Sequence, residues 1–238
     1  WSGDGRLSKL WHKPASNVVQ LAASAEQVFA AGADKITIWD ASTGLEMRTF
    51  QSGVTSMVVN AAGNRLFGAA GQTITSWNTT TGEQLGNWTS SDEVTSLAIW
   101  GARLYSSAGP AVSSWDGESG LRLSVQVAGT ATVSKLTITP DDLKLFSLDP
   151  KSVTSWDAAS GQKLNSIPDA HTDAIVTLAI SPDGAKLFSA GYDKAITSWD
   201  ASSGQKLFSI PDAHGCDQSG DCGILTLAVS PDGSKLFS

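Results

Sequence analysis

Two cysteines, Cys216 and Cys222, are the residues of this chain with the most evident reactive chemistry. Both lie in the segment HGCDQSGDCGI, which contains extra residues relative to the parallel stretch HTDAI. Their spacing allows a small disulfide loop, a feature of proteins in oxidising compartments, and two free thiols in a loop are the alternative. A zinc site is not expected, because the pair and His214 form an incomplete ligand set without the CxxC spacing of structural sites.

Two Asn-x-Thr sequences, at Asn78 and Asn87, match the acceptor pattern for N-linked glycosylation. Each falls in an outer turn or outer strand of the repeated unit described below, where a sugar could be accommodated. Chance matches are the alternative in a chain rich in Ser and Thr. Together with the cysteine pair, these sequences favour a secreted or luminal location.

No group of residues has the spacing of a known catalytic site. The chain contains no GxSxG elbow, no HExxH helix and no Walker loop, and its three histidines are His12, His171 and His214. The paired carboxylates Asp141–Asp142 and Asp92–Glu93 fall in predicted turns, where solvation explains them. We therefore expect no enzymatic activity and no cofactor.

Charge and hydrophobicity narrow the classes of partner. The formal net charge is −7, and neither the basic residues nor the aromatic ones form a stripe that could follow phosphates, so nucleic acid is not an expected partner. No stretch reaches the roughly 18 to 20 consecutive apolar residues of a membrane helix, and no basic segment followed by an apolar run opens the chain. Neither a membrane span nor a signal peptide is predicted.

Tryptophans reveal an internal repeat. Five of them precede Asp or Asn at intervals of 38, 38, 41 and 43 residues: Trp39, Trp77, Trp115, Trp156 and Trp199. These intervals lie within or close to the roughly 40 to 45 residues of a four-stranded propeller blade. The period therefore predicts one blade per repeat.

Each repeat contains signals for four strands. The segments VTSMVVN, VTSLAIW, VSKLTIT, IVTLAIS and ILTLAVS alternate in hydrophobicity and predict a first strand. A turn such as Ser181-Pro182-Asp183-Gly184 leads to a second strand, a third ends at the tryptophan, and Gln205–Ile210 supplies a fourth. No segment has helical periodicity, so the chain is predicted to be all-β, with sheets that stack radially to bury both faces.

The sequence SPDG…LFSAGYD…ITSWD…SG…L resembles the WD-repeat β-propeller family, and the resemblance covers essentially the whole chain. It implies a structural hydrogen-bond set formed by a His before the first strand, a Ser or Thr on the second, an Asp in the next turn and the Trp of the third. In this sequence these are His171, Ser189, Asp193 and Trp199. Only one other repeat has the histidine, so the remaining blades are expected to be held mainly by packing.

The two ends of the chain predict one composite blade. Leu236–Ser238 would be continued by the N-terminal segment 1–11, and the second hydrogen-bond set would be His214, Ser238, Asp4 and Trp11. The resulting expectation is a single domain, 1–238, of about six blades closed by pairing of the N- and C-terminal strands. The blade that includes Trp11 would lack an outer strand, because only 28 residues separate Trp11 from Trp39. A fragment of a longer, seven- or eight-bladed or tandem propeller is the alternative.

By this resemblance, the expected function is that of a non-catalytic scaffold or structural subunit that binds other proteins through loops on one face. The candidate contacts are Asp34, Lys35, Asp149, Lys151, Asp173, Tyr192 and Lys194. Carbohydrate binding is a second hypothesis, with Trp1, Trp88 and Trp100 as stacking residues, although these do not recur in register between repeats. An enzyme acting in the central channel is a third, and no residue set supports it.

Overall fold

The computed structural model describes residues 18, 20–32, 34–127, 131–141, 143–213, 223–230 and 232–238. Every regular element in these ranges is a β-strand, which confirms the predicted all-β class. No helix among these residues is long and apolar enough to cross a bilayer. The chain divides into two compact units, Trp1–Ser90 and Ser91–Ser238, called unit 1 and unit 2 below.

Unit 1 contains two four-stranded antiparallel sheets, in which each strand pairs with its neighbour in sequence. Their strands are β1 (Gln20–Ala23), β2 (Gln27–Ala31), β3 (Lys35–Asp40), β4 (Glu46–Gln51), β5 (Ser56–Val59), β6 (Arg65–Ala70), β7 (Thr73–Asn78) and β8 (Gln84–Thr89). The first strands of the two sheets, β1 and β5, pack against each other. Side chains buried between the sheets include Phe29, Ile36, Ile38, Met57 and Leu66.

Unit 2 contains three more four-stranded antiparallel sheets and a pair of short strands. The strands are β9 (Val94–Trp100), β10 (Arg103–Ala108), β11 (Ala111–Asp116), β12 (Arg122–Val127), β13 (Lys135–Ile138), β14 (Lys144–Leu148), β15 (Val153–Asp157), β16 (Lys163–Ile167), β17 (Ile175–Ile180), β18 (Lys186–Gly191), β19 (Ile196–Asp200), β20 (Lys206–Ile210), β21 (Ala228–Val229) and β22 (Leu236–Phe237). Here too the first strands are neighbours, β9 with β13, β13 with β17 and β17 with β21. Apolar clusters fill the space between successive sheets.

One sequence prediction is wrong in unit 2. The alternating segment ILTLAVS predicted a strand from Ile224, but the strand β21 covers only Ala228–Val229. The N–H of Ile224 instead donates to the carbonyl of Gly191 in the preceding sheet, at 3.0 Å. Among the described residues the ladder of β21 with β22 contains two pairs, Ala228 with Phe237 and Val229 with Leu236.

The residue after each repeated tryptophan shapes the turn into the fourth strand. Asp200 accepts hydrogen bonds from the N–H groups of Ser202 and Ser203 at 3.0 and 2.7 Å, and Gly204 then adopts a left-handed conformation with φ of 72°. Asp40 likewise accepts the N–H groups of Ser42 and Thr43. Hydrogen bonds from the hydroxyl groups of the same two residues lower the pKa of Asp40 to about 2. The repeated Trp-Asp or Trp-Asn pair therefore ends one strand and starts the reversal to the next.

Polar side chains join neighbouring sheets within each unit. In unit 1 the carboxamide of Gln20 bonds both the N–H and the carbonyl of Met57, at 2.6 and 3.0 Å. In unit 2 the hydroxyl oxygen of Ser96 accepts the N–H of Leu136 at 3.1 Å. These bonds satisfy backbone groups on first strands, which have a ladder partner on one side only.

Candidate functional site

Four side chains of unit 2 form a continuous hydrogen-bonded network, called here the His171 network. Nδ1 of His171 lies 2.9 Å from both carboxylate oxygens of Asp193, and its Nε2 lies 2.7 Å from Oγ of Ser189. The indole N–H of Trp199 donates to the same Ser189 oxygen at 2.8 Å. The structure therefore brings together His171, Ser189, Asp193 and Trp199, the four residues named from the sequence.

The donors and acceptors of this network match when His171 is neutral. Its Nδ1–H donates to the Asp193 carboxylate, which leaves Nε2 to accept the Ser189 hydroxyl, while Ser189 Oγ accepts the Trp199 N–H. If both ring nitrogens carried protons, the Ser189 hydroxyl would lose this acceptor in a fully buried position. Burial alone would raise the pKa of Asp193, but hydrogen bonds from His171 and from the N–H groups of Ala195 and Thr172 outweigh it and lower that pKa.

The Asp–His–Ser order of this network is also that of a hydrolase triad, so access to the serine decides its role. Ser189 has 0% of its surface exposed and His171 only 7%. A nucleophilic oxygen must reach a substrate, whereas Ser189 Oγ is enclosed and already bonded to Trp199. The geometry therefore assigns the network to holding the fold, and the same burial argues against catalysis by these residues.

The network fixes the loops at one end of the sheets of unit 2. Asp193 accepts the N–H of Thr172 at 3.1 Å, and Tyr192 N–H donates to the Ala174 carbonyl at 3.0 Å. The N–H of Ala170 reaches the Lys151 carbonyl of the preceding sheet at 3.2 Å. The segments 149–152, 168–174 and 192–195 are thus tied together, and we call them the upper edge of unit 2.

The candidate contact residues occupy the upper edge with different exposure. Tyr192 is 48% exposed, and Lys151 and Asp173 are also exposed. Asp149 is half-buried, and its carboxylate accepts the N–H groups of Lys151 and Ser152 at 3.0 and 2.8 Å. Lys194 is half-buried too, in a left-handed conformation with φ of 63°.

The remaining two candidate contacts lie in unit 1. Asp34 and Lys35 are exposed where the chain enters β3, the connection that corresponds to 192–195 in unit 2. All seven candidates therefore lie at the connection between the second and third strands of a sheet, or in a loop that is hydrogen-bonded to such a connection. The structure brings five of them, those of unit 2, onto one edge.

Sequence reasoning missed part of the network in two sheets that lack the histidine. Trp115 N–H donates to Ser106 Oγ at 2.8 Å, and Trp156 N–H donates to Ser147 Oγ at 2.9 Å. The signal was present as the repeated Leu-Tyr/Phe-Ser of the second strand. In the two sheets of unit 1, Ala30 and Gly68 take the place of this serine on the second strand. The tryptophans of these sheets, Trp39 and Trp77, are nevertheless buried.

The two glycosylation sequences differ in their surroundings. Asn78 ends β7, where its side-chain oxygen accepts the N–H groups of Thr80 and Thr81 at 2.9 Å, and the adjacent Thr79 is buried. Asn87 lies on the outer strand β8 and is exposed. Asn87 is therefore the more accessible acceptor.

The tryptophans considered for sugar stacking occupy unrelated positions. Trp88 is on a fourth strand and packs on Phe67 with ring centroids 5.8 Å apart, whereas Trp100 is exposed at the end of a first strand. They do not form a pocket that repeats from sheet to sheet.

Several predicted residues lie outside the described part of the chain. These are Trp1, Asp4, Trp11, His214, Cys216 and Cys222. Ser238 is described, and it is an exposed residue just after β22. Among the described residues no group of three or more His, Cys, Asp and Glu side chains could hold a metal ion.

Comparisons with known proteins agree with these observations. Residues 161–200 match the family WD domain, G-beta repeat, and this range includes all four residues of the His171 network. A WD repeat domain-containing protein 83 homolog from Dictyostelium discoideum is 36% identical over 62 residues, a match that covers 26% of this chain and 19% of that protein. Residues 161–200 are thus similar to a WD repeat, and the other four-stranded sheets share the strand order of the sheet built on this segment.

Proposed function

We propose that this chain is a non-catalytic scaffold that binds other proteins through the upper edge of unit 2. WD repeats generally mediate protein interactions, and the matched repeat at 161–200 contains two of the three segments of this edge. The proposal extends that general role to named residues of this chain: Lys151, Asp173 and Tyr192.

One observation carries the proposal: the His171 network holds the upper edge in place while Tyr192 remains 48% exposed. A loop that is already ordered loses little conformational entropy when a partner binds, so its exposed side chains contribute more of their contact energy to affinity. An exposed tyrosine supplies a large contact area with few rotatable bonds, and tyrosine is enriched among energetically dominant interface residues.

Capture of partners from an extract of the native source tests this function. The intact chain serves as bait, and Tyr192→Ala and Lys151→Ala are compared with Lys163→Ala, an exposed lysine on the outer strand β16. We expect proteins captured by the wild type to be retained by Lys163→Ala and lost with both upper-edge variants. Equal recovery with all variants would show that the partners use another surface.

We further propose that the repeats form one ring of about six blades, closed by the chain ends. Among the described strands, β21 and β22 form a pair where each other sheet has four, and residues 1–11 would complete this sheet. A piece of a longer WD-repeat protein is the alternative arrangement, and the match to the Dictyostelium protein covers 19% of that protein. An experimental structure in which β22 pairs with a strand other than residues 1–11 would contradict the ring.

The cysteines and the exposed acceptor Asn87 bear on where the protein works. We propose a disulfide between Cys216 and Cys222 and a secreted or luminal location. Intact mass of protein from its native source, measured with and without reductant, tests both points. Oxidised cysteines with added hexose at Asn87 would agree with this location, and free thiols on an unmodified chain would point to an intracellular scaffold.

A further inference from the structure

We propose that a cleft between the two sheets of unit 1, called here the Gln27 cleft, binds the charged end of a lysine or arginine side chain of a partner protein. The turn 24–27 of the first sheet forms one wall, and the turns 61–64 and 79–80 of the second sheet form the other. These turns lie at the end of the strands opposite the connections between second and third strands. The Gln27 cleft is therefore a different kind of site from the upper edge and goes beyond the function proposed above.

A short turn helps to leave this space open. In the first sheet the N–H of Ser24 donates to the carbonyl of Gln27, three residues further on, at 3.0 Å. The corresponding bond spans five residues in the turn 60–65 of the second sheet and in the turns 139–144 and 181–186 of unit 2. The shorter turn covers less of the next sheet, and a cleft of about 570 Å³, open to solvent, lies beside it. The residues that line this cleft are all described, and all belong to unit 1.

In unit 2 a cation crosses the corresponding junction between sheets. The guanidinium of Arg103, at the start of β10, donates to the carbonyl of Ala158 at 3.0 Å. The ammonium group of Lys144, at the start of β14, donates to the carbonyl of Ala201 at 3.4 Å. Each carbonyl belongs to the second residue after the repeated tryptophan of the next sheet. The β9–β10 turn is as short as the β1–β2 turn, and there Arg103 spans the gap.

The first sheet of unit 1 has no cation at this position. Gln27 begins β2 and pairs with Asp40, the register position that Arg103 and Lys144 hold in their own sheets. A neutral carboxamide therefore stands where those two sheets have a positive charge. The carbonyl that corresponds to their acceptors belongs to Thr79, and among the described residues no side chain donates to it.

Three oxygen acceptors of this cleft lack a donor. The Oε1 atom of Gln27 is buried and has no hydrogen-bond partner, while its Nε2 makes a long contact of 3.9 Å with the sulfur of Met47. The carboxylate of Glu26 is exposed and forms no salt bridge with a described residue. The Thr79 carbonyl is the third acceptor. A lysine ammonium has three donors and an arginine guanidinium five, and both carry the positive charge that a carboxylate attracts.

The expected complex reproduces the bond that unit 2 makes within its own chain. The ammonium or guanidinium group of the partner would bond the Thr79 carbonyl beside Glu26, and the weakly held carboxamide of Gln27 would turn its oxygen toward the charge. The neighbouring guanidinium of Arg48 is engaged by the Thr80 carbonyl at 2.6 Å, which leaves the Thr79 carbonyl to the ligand. The net charge of −7 favours the approach of a basic partner.

Peptide binding to the intact isotope-labelled chain tests this proposal. The probe is the peptide Gly-Ser-Lys-Ser-Gly with blocked ends, and the control is the same peptide with its lysine acetylated, which keeps the stem and removes the charge. We expect the lysine peptide to shift the NMR amide resonances of residues 24–27, 61–64 and 79–80. The acetylated peptide should bind about tenfold more weakly or worse, because it loses the charge and two donors.

Two variants change the cleft in different ways. Gln27→Lys supplies the cation from within, as Lys144 does in its own sheet, and should abolish peptide binding without lowering the melting temperature. Glu26→Gln removes the carboxylate and should weaken binding by about threefold, as expected for an exposed ion pair. Gln84→Lys and Glu93→Gln, at exposed positions outside the cleft, change the net charge by the same amount and should leave the affinity unchanged.

Three outcomes would overturn the proposal: equal binding of the acetylated peptide, resonance shifts located away from the three turns, or unchanged affinity in both Gln27→Lys and Glu26→Gln. Tighter binding of n-butylamine than of the lysine peptide would also overturn it and assign the cleft to a small free amine. Tyr192→Ala and Lys151→Ala should not affect the peptide, so the Gln27 cleft and the upper edge can fail independently.

Discussion

Gln20 on β1 clamps the backbone of Met57 on β5, accepting its N–H at 2.6 Å and donating to its carbonyl at 3.0 Å. This pair joins the two sheets of unit 1 at their first strands. Removing the carboxamide leaves two part-buried backbone groups without these partners, and an unmade bond of this kind costs about 1–3 kcal/mol. We expect Gln20→Ala to lower the free energy of unfolding by that amount, whereas Gln84→Ala, on an outer strand, should change it little. Urea denaturation of both variants measures the difference, and equal stability would show that the clamp is dispensable.

Ser189 should matter more to stability than its counterpart Ser106. Ser189→Ala leaves two buried groups unbonded, Trp199 N–H and His171 Nε2, whereas Ser106→Ala leaves only Trp115 N–H. With about 1–3 kcal/mol for each such group, we expect a loss of about 3 kcal/mol for the first variant and about 1–2 kcal/mol for the second. Thermal and urea denaturation would reveal the order. A larger loss of stability for Ser106→Ala would contradict the claim that the bond between Ser189 and His171 stabilises the fold.

The comparison of these two serines shows how far sequence reasoning reaches. The tryptophan period predicted the four-stranded sheets, because each repeat must build the same unit. The four residues of the His171 network could be named because the sequence around them resembles the WD-repeat pattern. Gln20, in contrast, gives no local signal: its role depends on the register between β1 and the first strand of another sheet.

The surfaces were less predictable than the fold. Exposure of Tyr192 follows from a turn that Asp193 and Ala174 hold in place, and sequence patterns do not measure exposure.

Acid should weaken the His171 network through Asp193. The pKa of this carboxyl is lowered in the folded chain, so the carboxylate adds stability above the ordinary value of about 3.9, and that stability is lost as the pH falls through the folded pKa. We expect the stability of Asp193→Asn to fall less steeply than that of the wild type below about pH 4. Asp173→Asn, an exposed neighbour, serves as the control. Parallel curves of unfolding midpoint against pH for wild type and Asp193→Asn would refute this linkage.

Gly204 should tolerate alanine less well than Gly71. Both glycines have positive φ, 72° and 55°, and therefore share the backbone strain that a Cβ introduces, about 1–2 kcal/mol. A Cβ at Gly204 would also collide with the side chain of Asn165, whose amide donates to the Ser203 carbonyl at 2.7 Å, whereas a Cβ at Gly71 would meet open space. We expect Gly204→Ala to be the less stable variant in thermal denaturation. Equal losses would mean that Asn165 moves away without cost.

Photo-crosslinking from position 192 tests the scaffold function most directly. A photoreactive phenylalanine analogue replaces Tyr192 in one variant and Leu85, an exposed residue of the outer strand β8, in a control, and both are incubated with extract of the native source. We expect covalent adducts with partner proteins from position 192 and not from position 85. Recovery of the intact partner complex without any adduct at position 192 would contradict binding through the upper edge.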